Sequence, residues 1–251
     1  MKRIDFDSKV PFTEHLVELR NRLVVVVSTV MALSAVGFIL RGSLINFLES
    51  PLPEAYRKMS FLSPTEGFFV AMKVSIFAGI LFSIPVILFQ SWAFVAPGLK
   101  EKERKYTVPL VFLGTLFFLF GVSFAYFAIL PIGLNFLLSF GAQYWTPNIT
   151  IGNYLSFCIK LLLAFGAVFE MPLLIAFGCK VGLITTDQLI FYRKYAFLSF
   201  FVLGAMLTPP DVITQVFMAL PLILLYEVGL YAGKFFEKKE EVETSERESE
   251  A

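Results

Sequence analysis

Between Lys105 and Lys160 the chain carries no Asp, Glu, Lys or Arg, an uninterrupted run of 54 residues, 106–159. A lipid hydrocarbon core about 30 Å thick asks for only about 20 helical residues per crossing. The run is therefore too long for one crossing and too apolar for an aqueous core. It breaks where helices break, at Pro131, Gly133 and Trp145-Thr146-Pro147-Asn148. This gives a third span over about residues 107–130, a neutral loop, and the start of a fourth over about 154–178. The same logic places spans at Leu23–Leu40 and Phe68–Ala96, and two shorter ones at about 195–208 and 212–230. Composition agrees: 57% of the chain is hydrophobic and 16% is charged, where soluble domains carry about a quarter. The expected fold is an all-α polytopic membrane protein of six transmembrane helices over residues 1–233. A charged tail, 234–251, is expected to be disordered.

The charges orient these spans. Of the 21 Lys and Arg, sixteen fall in the N-terminal segment, the connections after spans two and four, and the tail. Only Arg41, Arg57 and Lys58 fall in the opposite connections, which predicts both termini on the cytoplasmic side. The charged start, with no apolar run before residue 23, predicts a retained first span rather than a cleaved signal. Ser63-Pro64-Thr65-Glu66 fits a capping box opening the second span, and Thr208-Pro209-Pro210-Asp211 has the same form before the sixth. The fifth and sixth apolar stretches are short, which leaves local bilayer thinning and a re-entrant hairpin both open.

Ionisable groups inside spans are costly and mark cavities, partners or pathways. Glu170, before Met171-Pro172, is the chief candidate; the competing reading is a protonated acid bonded to carbonyls left without a donor by Pro172. Asp211 reads as a helix-start charge, Glu227 as a snorkelling acid, and Gln215 as a hydrogen-bonding group with either an internal or a partner acceptor. Glu18 and Arg22 stand four apart in the favourable order for a surface pair. Glu103, in Lys100-Glu101-Lys102-Glu103-Arg104-Lys105, has no cation four residues on and is free to meet an incoming one. The single His, His15, and the absence of HExxH, GxSxG, GxGxxG and Walker patterns exclude the common hydrolytic and nucleotide-binding chemistries. Cys158 and Cys179, with no CxxC, predict inert buried thiols, and no cofactor, metal or nucleic-acid ligand is expected. A Glu170-dependent carrier and an intramembrane hydrolase remain as rival functions, the latter needing a second catalytic group.

Five segments together resemble the TatC family of twin-arginine translocase receptors. They are His15-Leu16-Val17-Glu18-Leu19-Arg20, Phe94-Val95-Ala96-Pro97-Gly98-Leu99 with Glu103-Arg104, Phe120-Gly121-Val122-Ser123-Phe124-Ala125-Tyr126-Phe127, Phe165 to Pro172, and Leu207-Thr208-Pro209-Pro210-Asp211-Val212. The resemblance runs in order from about residue 11 to 233. It implies a cupped six-helix bundle with short fifth and sixth helices, both termini cytoplasmic, in a bacterial-type inner membrane. It implies a receptor that binds Arg-Arg signal peptides of folded cargo, self-associates in a larger complex, and recruits TatA/TatB-type single-span partners for export driven by the proton-motive force. By position, Glu18 and Glu103 would hold the two signal arginines, with Arg20, Pro51, Phe94 and Leu99 around them. Glu170, Met206, Asp211 and Gln215 would bear on partner helices.

Overall fold

The computed structural model describes residues 12–57, 59–96, 105–139, 147–207 and 212–249. They form helices α1 (Phe12–Ile39), α2 (Arg41–Glu49), α3 (Glu66–Val95), α4 (Thr107–Phe124), α5 (Leu130–Ser139), α6 (Ile151–Phe169), α7 (Met171–Lys180), α8 (Thr186–Leu207) and α9 (Val212–Ser249). A π-helical turn, Ala125–Ile129, joins α4 to α5. Six stretches are long and apolar enough to cross a membrane, matching the expected count: α1, α3, α4 with α5, α6 with α7, α8, and α9 to Glu237. Among the described residues the non-helical pairing is one isolated parallel bridge, Ser60 with Thr150.

Three boundaries differ from the sequence reading. The third crossing does not stop near residue 130 but continues as helix to Ser139. The π turn routes the Leu130 N–H to the Ala125 carbonyl, and this wider register lets the chain pass Pro131 without a break. The fifth helix begins at Thr186, so Arg193 and Lys194 lie inside it rather than before it. At 22 residues it remains the shortest of the six, about 33 Å at 1.5 Å per residue. The sixth helix does not stop near residue 230: α9 continues to Ser249, in a sequence rich in the strong helix formers Glu and Lys.

The fourth crossing is the centre of the bundle. Its most apolar window is 61% buried, against 6% for α1 and 11% for α8, which lie at the periphery. Phe165, Leu155, Leu161, Leu162 and Cys158 of α6 form the middle of the core, with Val74 of α3 and Leu130 of α5. Both cysteines are buried and unbridged. α2, not foreseen in the sequence, folds back on this core: the Tyr126 hydroxyl donates to the Phe47 carbonyl at 2.6 Å and that of Tyr154 to the Leu48 carbonyl at 2.8 Å.

α8 and α9 form an antiparallel hairpin. Gln215 meets Phe201 near the turn, and Tyr226 donates to the Leu189 carbonyl at 2.7 Å farther along. Glu227 pairs with Arg193 across it, so a cross-helix ion pair replaces the expected snorkelling. On its other side α9 packs closely on α7 through Gly229 and Gly233. A Cβ at Gly229 would lie 2.8 Å from the Ile175 side chain and 3.2 Å from the Pro172 backbone, and one at Gly233 would lie 2.9 Å from the Cys179 sulfur. This small-xxx-small pair is used within the chain. Gly229→Val is accordingly expected to push α9 off α7, lowering stability by about 1–3 kcal/mol in a detergent unfolding assay.

Candidate functional site at the terminal face

The helix ends sort into two faces. The terminal face collects the starts of α1, α4 and α8 and the ends of α3 and α7, with α9 emerging from it. The far face collects the opposite ends. At the terminal face, the first turns of α1 lie against the last turns of α3. The His15 ring stacks on Phe94, with centroids 4.3 Å apart and planes at 21°. Two turns deeper, Arg22 binds Oε1 of Glu18 through Nε at 3.0 Å and through Nη2, while its Nη1 reaches Oε1 of Gln90 on α3 at 3.2 Å. The helical spacing that suggested the Glu18–Arg22 pair thus forms it, and Gln90 ties it to the neighbouring helix. Arg20 is exposed and turns to Asn21, leaving Glu18 alone.

The rest of this face is held by aromatic and capping contacts. Trp92 meets Phe177 edge-on at 4.7 Å. The Lys180 ammonium sits 3.6 Å over the Tyr106 ring at the entrance to α4, and holds that phenol below its ordinary pKa. Glu237 of α9 accepts from the backbone N–H of Thr186 at 3.1 Å and from its hydroxyl at 2.6 Å, capping α8 from another helix.

The sequence-predicted residues are only partly gathered here. Glu18 and Phe94 share the α1–α3 corner with His15, while Leu99 and Glu103, and likewise Asp211, lie outside the described residues. Pro51 is a correction. It follows α2 at the far face, beside Phe47, Tyr126 and Pro131, and the helical rise from Glu18 to Ile39 puts about 31 Å between Glu18 and the far end of α1. Its assignment rested on motif position only, and the path of α2 takes it away from Glu18. Met206, at the far end of α8, is 74% exposed. Gln215 donates its amide to the Phe201 carbonyl at 2.9 Å, the internal acceptor of its two readings.

Glu170 sits where the fourth crossing breaks between α6 and α7, with Pro172 in the first turn of α7. It is 8% exposed, its carboxyl lies against Gly114 of α4, and Oε1 has no hydrogen-bond partner among the described residues. The far face carries a polar clamp. Glu66 accepts from the Leu62 N–H at 2.6 Å through one oxygen and from the Gly152 N–H at 2.9 Å through the other. Ser60 exchanges backbone bonds with Ile149 and Ile151 at 3.1 and 3.0 Å, and its hydroxyl donates to Asn148 at 2.8 Å. About two turns farther along α3, Lys73 donates to Ser156 at 3.0 Å. The expected capping box does not form, since α3 starts at Glu66 with Thr65 before it and no side-chain cap; Glu66 instead ties the start of α3 to the start of α6. Among the described residues no group of three or more His, Cys, Asp or Glu is placed to hold a metal.

Comparison with known proteins fits this architecture. Residues 14–221 match the family described as TatC, Sec-independent protein translocase protein. A relative so named from Desulforapulum autotrophicum is 40% identical over 96% of this chain and 90% of its own length, and one from Aquifex aeolicus is 40% identical over 91% and 97%. The fold superposes with a TM-score of 0.81 on a crystal structure of the twin-arginine translocase receptor TatC, 40% identical, covering 88% of this chain and 99% of that one. A second crystal structure of that receptor, in DDM, gives the same TM-score over 87% of this chain. Six apolar crossings, their order and these matches agree, and the chain belongs to the TatC family, a polytopic membrane component of the Sec-independent protein translocase and not an enzyme.

Proposed function

We propose that this chain is the receptor of the translocase, binding Arg-Arg signal peptides of folded cargo at its terminal face. The observation that carries the reading is Glu18, a half-buried carboxylate at the boundary end of the bundle, beside the His15–Phe94 stack. A carboxylate accepts parallel N–H bonds from a planar guanidinium and only a point contact from an ammonium, so acids so placed read arginine. Glu103 supplies the second acid, on the connection between α3 and α4, with Leu99 on the same connection and Arg20 and Phe94 at the edges. The excess of Lys and Arg supports a cytoplasmic terminal face, and with it cytoplasmic termini, and in this reading the six spans lie in a bacterial-type inner membrane.

The same reading makes the chain a scaffold within a larger, self-associating complex, recruiting TatA/TatB-type single-span helices for export driven by the proton-motive force. Glu170, with its unsatisfied Oε1, the exposed end of α8 at Met206, and the residues Asp211 and Gln215 are the proposed meeting points. Cysteine at Met206 is expected to cross-link a single-span partner helix, and a scan that captures none there removes that placement. For the signal site, photo-cross-linkers at His15, Arg20 and Phe94 should capture an Arg-Arg peptide and release it when the pair becomes Lys-Lys. Capture confined to the far face, or capture indifferent to the arginines, would overturn the receptor reading.

A further inference from the structure

The carboxylate assigned above to a signal arginine already holds a guanidinium. Arg22 donates from two nitrogens to the single oxygen Oε1 of Glu18, and Gln90 holds the third nitrogen from α3. The two side chains are 23% and 34% exposed, so water screens the pair only in part. No described residue donates a hydrogen bond to Oε2 of Glu18, which leaves one edge of the carboxylate open.

We infer that Arg22 is a specificity-determining residue, an internal guanidinium that makes Glu18 select arginine over lysine; the inference rests on the receptor reading of Glu18. With its charge balanced by Arg22, Glu18 exerts little net Coulomb pull on an arriving cation. An ammonium, whose contribution is a strongly hydrated point charge, then gains little by approaching. A guanidinium gains through direction rather than charge. It can lay parallel N–H bonds along the open Oε2 edge, and it can replace the Arg22 fork at Oε1 bond for bond. The displaced Arg22 keeps Gln90 as an acceptor, so the exchange strands no donor on that side. An ammonium making the same exchange would return fewer bonds than it breaks. The pair therefore lowers raw affinity for cations while widening the gap between the two kinds.

The test uses the full chain in lipid nanodiscs and two fluorescent signal peptides, one with the Arg-Arg pair and one with Lys-Lys in its place. Arg22→Gln is expected to strengthen Lys-Lys binding by about tenfold and Arg-Arg binding by less, so that the preference contracts. Arg22→Lys, which keeps the charge but not the fork, is expected to contract it as well, and serves if Arg22→Gln fails to fold. A preference within about twofold of the parent in whichever of these variants folds, or a loss of Arg-Arg binding larger than that of Lys-Lys, overturns the inference. Glu18→Gln in the parent separates the two levels. If it leaves Arg-Arg binding untouched, the receptor reading of Glu18 fails and the inference with it. If it weakens binding while the Arg22 variants hold the preference, only the inference fails.

Discussion

Replacing Glu18 and Glu103 together by Ala is expected to abolish measurable binding of an Arg-Arg signal peptide and, with it, export of twin-arginine cargo. A hydrogen bond to a charged group contributes about 1.5–3 kcal/mol, so each acid alone is worth about 10- to 100-fold in affinity and the pair about 10²- to 10⁴-fold. Glu18→Ala should be the more damaging single change. It removes an acceptor and leaves the Arg22 guanidinium, now held only by Gln90, as a bare positive charge where a second one must land. Glu18→Gln, which keeps one acceptor oxygen, should fall between. Raising ionic strength should weaken the parent, because contacts at the water boundary are screened beyond about 8–10 Å at 0.10–0.15 M salt. Peptide affinity measured by fluorescence anisotropy in nanodiscs, at two salt concentrations, checks all of these. Parent-like affinity in the double variant would remove the site.

The second large effect is on stability. Glu66→Ala is expected to lower stability, because it removes the acceptor from two backbone donors at once, those of Leu62 and of the half-buried Gly152. Gln at this position keeps one carbonyl oxygen and turns an N–H toward the other donor, so it should rescue only part of the loss. The distinguishing sign is where the damage appears. Cysteine cross-links between Ser60 and Asn148, at the other end of the clamp, should weaken in Glu66→Ala, while links between His15 and Phe94 at the terminal face should not. Thermal unfolding in detergent gives the magnitude and the cross-links give the location.

Six crossings were legible because hydropathy over about 20 residues is a property of composition, which no neighbour needs to supply. Boundaries were less so, and each miss has a local cause. Pro131 reads as a stop, yet a π turn just ahead of it lets the helix pass. Arg193 and Lys194 read as the edge of a span, yet Glu227, on another helix, neutralises the first of them. At the candidate site the Glu18–Arg22 pair follows from four-residue spacing, whereas Gln90 and the His15–Phe94 stack depend on how α1 lies against α3. A neutral glutamine in an apolar run gives no signal of its own. Glu170 was legible as an anomaly, but its burial against Gly114 was not, since that contact needs the α4–α6 crossing. Pro51 shows the converse: motif position suggested a neighbourhood that the returning α2 does not supply.

The last helix is one continuous rod of 38 residues, about 57 Å end to end, and some 18 Å of it lies past Glu237. Its pivot is fixed at two points, the Gly233 contact on Cys179 and the Glu237 cap on Thr186. Those two contacts, on α7 and on the first turn of α8, therefore set the direction in which α9 leaves the bundle.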